Sequence, residues 1–523
     1  MANHEDVAPY KPQSLLDFSK PENARWQKAA IERVRLQLGR EHDLVIGGER
    51  SRTAEKIVSI NPSRPDEVVG VFQKAGAAEL ELAMKAATST FSEWSRTPAA
   101  ARAQFLLRIA EAIGERRFEW NAWLILEAGK NWIEADADTA ETIDFANFYA
   151  REMLRLETPP PVYQLPGERD EFFYRPLGVG AVIPPWNFPS AIMAGMTMAA
   201  IVTGNTVILK PSSDAPAIAH RFLDLLEELG LPAGVVNFCT GAGADFGNAL
   251  VEHPRTRFIS FTGSREAGLQ IHQRAAVPRH GQRWIKRTVL EMGGKDAIIV
   301  DACADTDHAV EGIIASAFGY QGQKCSACSR AIVDERIYGK FVERLRDAAA
   351  RLTVGEAELN PSLGPVINAA SRDKILGMIK KGLAEGGRLI CGGHAIDHES
   401  GGYFLEPTII ADVAPGSTIE QQEIFGPVLA VIPAKDFDDA LRIANDSEYG
   451  LTGALYTSSE EKMARAREEF HVGNLYFNRK CTGAIVGAHP FGGFNLSGTD
   501  SKAGGPDYLQ LFLQAKSVAQ KLG

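Results

Sequence analysis

The sequence predicts an α/β protein built on two parallel sheets. Three observations carry this. From residue 178 onward, short apolar strands alternate with helices over short connections, the pattern of crossover units whose helices cover both faces of a parallel sheet. A second run of the same kind starts near Glu291. The 523 residues, 45% hydrophobic and 23% charged, suffice for about three globular units at roughly 100–200 residues each.

The elements follow in order. Residues 1–45 read as an N-terminal arm with a polar helix over 22–38, where apolar residues recur at helical spacing. LVIGGE from Leu44 reads as strand and turn, and IVSI (57–60) as a strand ending at Asn61-Pro62. Residues 77–149, rich in Ala, Leu and Glu, are mostly helix until the Pro run at 159–161. Strands GVGAVI (178–183), TVILK (206–210), VVNF (235–238) and FISF (258–261) then alternate with helices at 190–202, 216–229, 244–251 and 265–275. Ligands of such sheets sit at the carboxyl ends of the strands. The loops PPWNFP, KPSSDAP, TGAGADFG and TGS are therefore the places to look. In the second unit, strand AIIV (297–300) leads to a helix from 305–306, the loop GYQGQKCSAC and strand RAIVD (330–334), and the unit runs to about 475. The tail ends in LQLFLQAKSV, an apolar strand that nothing nearby covers, which predicts pairing with a partner subunit.

Composition excludes several classes. With 56 Lys+Arg against 66 Asp+Glu the net charge is −10, which argues against a duplex nucleic-acid binder with a basic face. The longest low-charge stretch, 191–209, contains Thr197, Thr203, Asn205 and Thr206. It reads as buried helix plus strand, so no membrane span is expected. MANHEDVAPYKPQS has neither a basic nor an apolar leader region, and six cysteines are too sparse for a disulfide framework. A reducing cytoplasm is the expected setting.

Generic motifs say little. Gly241, Gly243 and Gly247 give G-x-G-x-x-x-G after a strand, one residue off the dinucleotide fingerprint. No phosphate-binding G-x-x-x-x-G-K-[ST] and no HExxH occur, and the histidines lack metal-ligand spacing, so no metal is expected. Cys325 and Cys328 form C-x-x-C in a Gly-containing loop. We read Cys325 as a single working thiol and Cys328 as a small buried residue opening the strand; a redox pair is the competing reading. Glu291 ends a strand before Gly293-Gly294, where the backbone can pass close to a reaction centre, and is the candidate base.

LEMGGKD (290–296) and GQKCSA (322–327) resemble the two signatures of the aldehyde dehydrogenase superfamily. PWNFP (185–189), ILKPS (208–212), FTGS (261–264), EIFGPV (423–428) and HPFGGFNLSG (489–498) follow that family's order. The resemblance implies a Rossmann-type cofactor domain over 1–159 and 176–289, a catalytic domain over 290–489, and an oligomerisation arm and tail over 160–175 and 490–523. It implies Cys325 as nucleophile, Glu291 as base for thioester hydrolysis, and Asn187 with the Cys325 backbone N–H as oxyanion donors. The implied cofactor is NAD. Lys210 would reach the adenosine ribose, Ser264 would meet the pyrophosphate, Glu423 and Phe425 the nicotinamide ribose, and Gly243, Thr262 and Gly263 would be further cofactor-binding residues. Ser213 stands where strictly NAD-dependent members often carry Glu, so NADP stays open.

Residues 472–493, 134–145 and QKCSA are most similar to the 1-pyrroline-5-carboxylate dehydrogenase branch, which oxidises L-glutamate γ-semialdehyde. That resemblance implies Ser326, Gly483 and Ala484 as partners of the substrate carboxylate. Glu141 would face its ammonium, and Phe188 and Phe491 would flank its stem. A surface ion pair is the competing reading of Glu141, and core packing that of the two Phe. The resemblance further implies a homo-oligomer, at least a dimer, with a separate proline dehydrogenase as pathway neighbour. Two functional alternatives remain: a dehydrogenase of another ω-semialdehyde such as succinate semialdehyde, and a non-catalytic protein of the same fold.

Overall fold

The computed structural model describes residues 8–523. Residues 1–7, on which part of the leader reading rests, lie outside the described residues. The first sheet runs Arg287–Glu291, Thr256–Thr262, Val179–Ile183, Thr206–Leu209, Val236–Phe238, Leu44–Ile46 and Glu49–Ser51. Its first five strands are parallel and the last two antiparallel. The second sheet runs Arg388–Cys391, Thr408–Ala411, Val428–Ala434, Cys328–Asp334, Asp296–Val300, Thr452–Tyr456 and Asn474–Phe477. Only its first strand is antiparallel to its neighbour. Central strands such as Val179–Ile183 and Asp296–Val300 are buried throughout, as expected where helices cover both faces.

This topology makes a crevice. Strand order reverses direction at Val179–Ile183, which lies between Thr256–Thr262 and Thr206–Leu209, the switch point where α/β sheets bind ligands. The chain leaves the first sheet at Glu291 and enters the second at Asp296. The carboxyl ends of the first sheet therefore face the amino ends of the second across a connection of four residues.

Two details differ from the sequence reading. The stretch expected as helix from 244 opens as a π-helical turn, Gly243–Gly247, before the short helix Asn248–Glu252, because its glycines do not hold regular helix. The tail is not uncovered. Leu509, Phe512 and Leu513 are buried in the chain's own core, and Leu513–Lys521 pairs antiparallel with Glu168–Pro176. Residues 490–512 fold back against the sheet units, with Phe491 bridged to Ala503 and Gly498 to Glu291. Helices Ala77–Trp94, Ala99–Glu115, Arg117–Ala128 and Trp132–Glu157 form the expected helical region, which stops before the Pro run. Among the described residues no helix is long and apolar enough to cross a membrane.

Candidate active site

The crevice gathers the predicted chemistry. Cys325 lies half-buried in the loop before strand Cys328–Asp334. A Cβ on Gly294 would collide with the Cys325 carbonyl, so the segment after Glu291 passes directly against the backbone of the thiol loop. Burial pushes the Cys325 thiol well above its ordinary range, and the charges of Asp296, Glu423 and Glu291 push it further. Cys325 and Glu291 thus lie close enough for their charges to interact.

Glu291 is 9% exposed. Its carboxyl is pushed up to about 8 by burial, against the opposing hydrogen bond from Ser501. Ser501 Oγ donates to Oε1, while Oε2 has no partner. Such a carboxyl is neutral at rest and still a usable base near neutrality. Asn187, in the loop after Val179–Ile183, is buried and donates from Nδ2 to the Gln323 carbonyl at 3.0 Å. That bond uses one of its two amide hydrogens and leaves the other free. The Cys325 backbone N–H donates to no acceptor among the described residues. Asn187 thus holds the loop that carries the thiol two residues before Cys325, with one amide hydrogen and the Cys325 N–H left without acceptors.

The dinucleotide side is equally assembled. Lys210, at the end of Thr206–Leu209, is buried, which pulls its ammonium down to about 8. It lies against the Gly243–Gly247 turn, its Cε within 3.6 Å of where a Gly247 Cβ would stand. Gly243 is exposed, and a Cβ there would meet nothing. Ser213 is exposed in the loop after Lys210. Thr262 and Gly263 end the strand Thr256–Thr262, with Gly263 N–H bonded to the Glu291 carbonyl at 3.0 Å. Ser264 caps helix Arg265–Ala276 by accepting from Ala267 N–H at 3.3 Å. This exposed helix start suits a phosphate. From the second unit, Glu423 Oε1 accepts the Gly294 N–H at 3.0 Å, and Phe425, at φ +61°, stands edge-on to Trp186 with ring centroids 5.5 Å apart. A side chain on Gly293 would strike the Glu423 carboxylate. These residues fit a dinucleotide lying across the crevice.

At the substrate side Ser326 is largely buried beside Cys325. Gly483 sits at φ +74°, and neither its N–H nor that of Ala484 donates within the described chain. Such a pair of free N–H groups makes an anion nest. Glu141 makes no ion pair among the described residues; burial and the nearby Asp138 push its carboxyl up to about 8. It faces inward, against the surface ion-pair reading. Phe188 meets Tyr320 edge-on at 6.3 Å, and Phe491 is half-buried on the segment bridged to Ala503.

The aldehyde dehydrogenase family pattern matches residues 49–518. The chain belongs to the aldehyde dehydrogenase family. The 1-pyrroline-5-carboxylate dehydrogenase of Geobacillus thermodenitrificans (strain NG80-2) is 55% identical over 515 residues, 98% of this chain and 99% of that one. Among solved structures, 1-pyrroline-5-carboxylate dehydrogenase from Thermus with bound NAD matches with a TM-score of 0.97 and 50% identity, covering 99% of this chain and 100% of that one. Proline utilization A from Bdellovibrio bacteriovorus matches at TM-score 0.96 and 42% identity, covering 98% of this chain and 53% of that protein.

Three residues of this aldehyde dehydrogenase escaped the sequence reading. Ser501, the donor to Glu291, is distant in sequence and carries no motif signal. Lys324 pairs with Glu134 at 2.6 Å, and its place directly before Cys325 was the available signal. Lys480 lies beside the nest, its Nζ 3.5 Å from where a Gly483 Cβ would stand. Cys328 is buried and opens its strand, as expected.

Proposed function

We propose that this aldehyde dehydrogenase oxidises L-glutamate γ-semialdehyde to L-glutamate with NAD, in proline degradation. The observation that supports the reading is that the Glu291 charge acts on Cys325 while Asn187 bonds the thiol loop at Gln323, beside strand ends that suit a dinucleotide. The Cys325 thiol gives its proton to solvent water, and the resulting thiolate attacks the aldehyde carbon. The Asn187 amide and the Cys325 N–H hold the resulting oxyanion of the thiohemiacetal. Bound NAD supplies the hydride acceptor that no side chain can provide. Glu291, through its unpartnered Oε2, then takes a proton from the water that attacks the thioester, and the C–S bond breaks to return the Cys325 thiolate and release the acid.

The substrate end rests on charge and shape. Ser326, the Gly483 and Ala484 N–H groups and the nearby Lys480 suit a carboxylate. Glu141 suits an ammonium, and Phe188 and Phe491 suit an aliphatic stem. Succinate semialdehyde would leave Glu141 without a partner. The names of the Geobacillus and Thermus relatives support the same choice. We further read the ribbon of Glu168–Pro176 and Leu513–Lys521 as the assembly element of a homo-oligomer, the cytoplasm as the location, and proline dehydrogenase as a separate pathway neighbour. Steady-state kinetics on γ-semialdehyde and succinate semialdehyde, each with NAD and NADP, test the proposal. Higher kcat/KM for γ-semialdehyde with NAD is expected, and preference for succinate semialdehyde overturns it.

A further inference from the structure

A buried cation stands behind the two loops that form the crevice, and the chemistry above gives it no task. Lys130 lies in the break between helices Arg117–Ala128 and Trp132–Glu157 and is fully buried. Its Nζ donates no hydrogen bond. It sits 3.2 Å from Asp138 Oδ2, 3.8 Å from the Phe188 ring centroid and 4.3 Å from that of Tyr320. An ammonium out of water needs compensation, and here one carboxylate and two aromatic faces provide it.

The two aromatic partners belong to the catalytic loops, and Asp138, on helix Trp132–Glu157, holds the end of one of them. Phe188 follows Asn187. Asp138 Oδ1 accepts the N–H of Ala191, the first residue of the helix after that loop, at 2.7 Å. Ser190 is held from the same side by Trp120 Nε1 at 2.8 Å and Thr142 Oγ1 at 2.7 Å. Tyr320 lies in the loop before Cys325. Its hydroxyl donates to the Ala128 carbonyl at 2.8 Å, and Gln321 Nε2 donates to the Gly129 carbonyl at 3.1 Å. Tyr320 and Gln321 both have left-handed backbones, φ +51° and +56°, a conformation that persists only where surroundings enforce it. Lys130 touches an aromatic ring of each loop.

We propose that Lys130 is a positioning residue, which with Asp138 sets the Asn187 turn against the loop of Tyr320 and Cys325 and so aligns the oxyanion donors with the attacking sulfur. The inference rests on the roles given above to Asn187 and Cys325. The test is a mutant cycle in the full-length enzyme read by the pre-steady-state NADH burst on γ-semialdehyde, using Lys130→Met, Asn187→Ala, the double variant and Lys130→Arg. Lys130→Met should slow the burst by about 10- to 100-fold with NAD affinity unchanged, and Lys130→Arg should restore part of the rate. Because Lys130 acts through the loop, Lys130→Met should slow the burst by less than about threefold further once Asn187→Ala is present. If Lys130→Met does not fold, Lys130→Met with Asp138→Asn, which leaves no lone buried charge, takes its place. A burst within twofold of wild type, or losses that multiply in the double variant, overturns the inference. A normal burst in Asn187→Ala instead overturns the oxyanion reading beneath it.

Discussion

Ser501 Oγ donates to Glu291 Oε1 across 210 residues of sequence, leaving the buried Oε2 without a hydrogen-bond partner. The hydrogen bond favours the charged form and opposes the burial that raises the Glu291 pKa to about 8. The base is the deprotonated form, so thioester hydrolysis in the wild type should rise as pH increases through about 8. In Ser501→Ala the carboxylate loses its donor, its pKa rises, and the limb should move to higher pH. The pH dependence of kcat in a deacylation-limited assay checks this; an unchanged limb assigns the titration elsewhere.

Removing the carboxylate separates the two half-reactions. Glu291→Ala should still form the thioester, giving one equivalent of NADH per site, and then turn over at least 100-fold more slowly, in line with loss of a general base. Rapid-mixing absorbance at the NADH band measures both phases. Full turnover in this variant would remove Glu291 from the mechanism.

The C-x-x-C spacing makes opposite predictions for its two thiols. Cys325→Ala should abolish turnover. Cys328 is buried in the second sheet's core, so Cys328→Ala should cost about 1 kcal/mol of stability and keep most activity. Kinetics and melting curves of both variants decide it, and loss of activity in Cys328→Ala alone would favour a redox pair.

The alternation of strands and helices was legible because fully buried parallel strands read as short apolar runs, and Val179–Ile183 and Asp296–Val300 fall within a residue of expectation. The ordered motif blocks carried Cys325, Glu291 and Asn187, since chemistry restricts which residue types can stand there. Less was legible where function depends on distant segments folding together. Ser501 reaches Glu291 only because residues 490–512 return to the first sheet, and Lys130 meets Phe188 only through the helix break. The tail misled for a related reason. Its apolar residues are covered by parts of the chain more than 250 residues away, such as Phe258, which packs edge-on to Phe512 at 5.4 Å.

Ser213 offers a test of cofactor choice. It is exposed in the loop after Lys210, where a carboxylate would bond ribose hydroxyls and repel a 2′-phosphate. Ser213→Glu should lower kcat/KM for NADP at least about tenfold relative to NAD, the effect of a little over 1 kcal/mol of like-charge repulsion. Side-by-side titrations of the two dinucleotides measure the ratio. An unchanged ratio would place the adenosine ribose away from this loop.

The ribbon of Glu168–Pro176 and Leu513–Lys521 makes nine paired positions, yet residues 514–521 are mostly exposed, so it adds little to the core of its own chain. None of the candidate site residues named above belongs to it. Truncation after Leu513 keeps the buried Phe512 and Leu513 while leaving Glu168–Pro176 without its partner strand. The expected outcome is a lower mass by light scattering, because the strand we propose as the assembly face is gone, with kcat per site within about threefold of wild type, since Cys325, Glu291, Asn187 and Ser501 all lie outside the ribbon. A truncated enzyme of unchanged mass would show that assembly uses a different face.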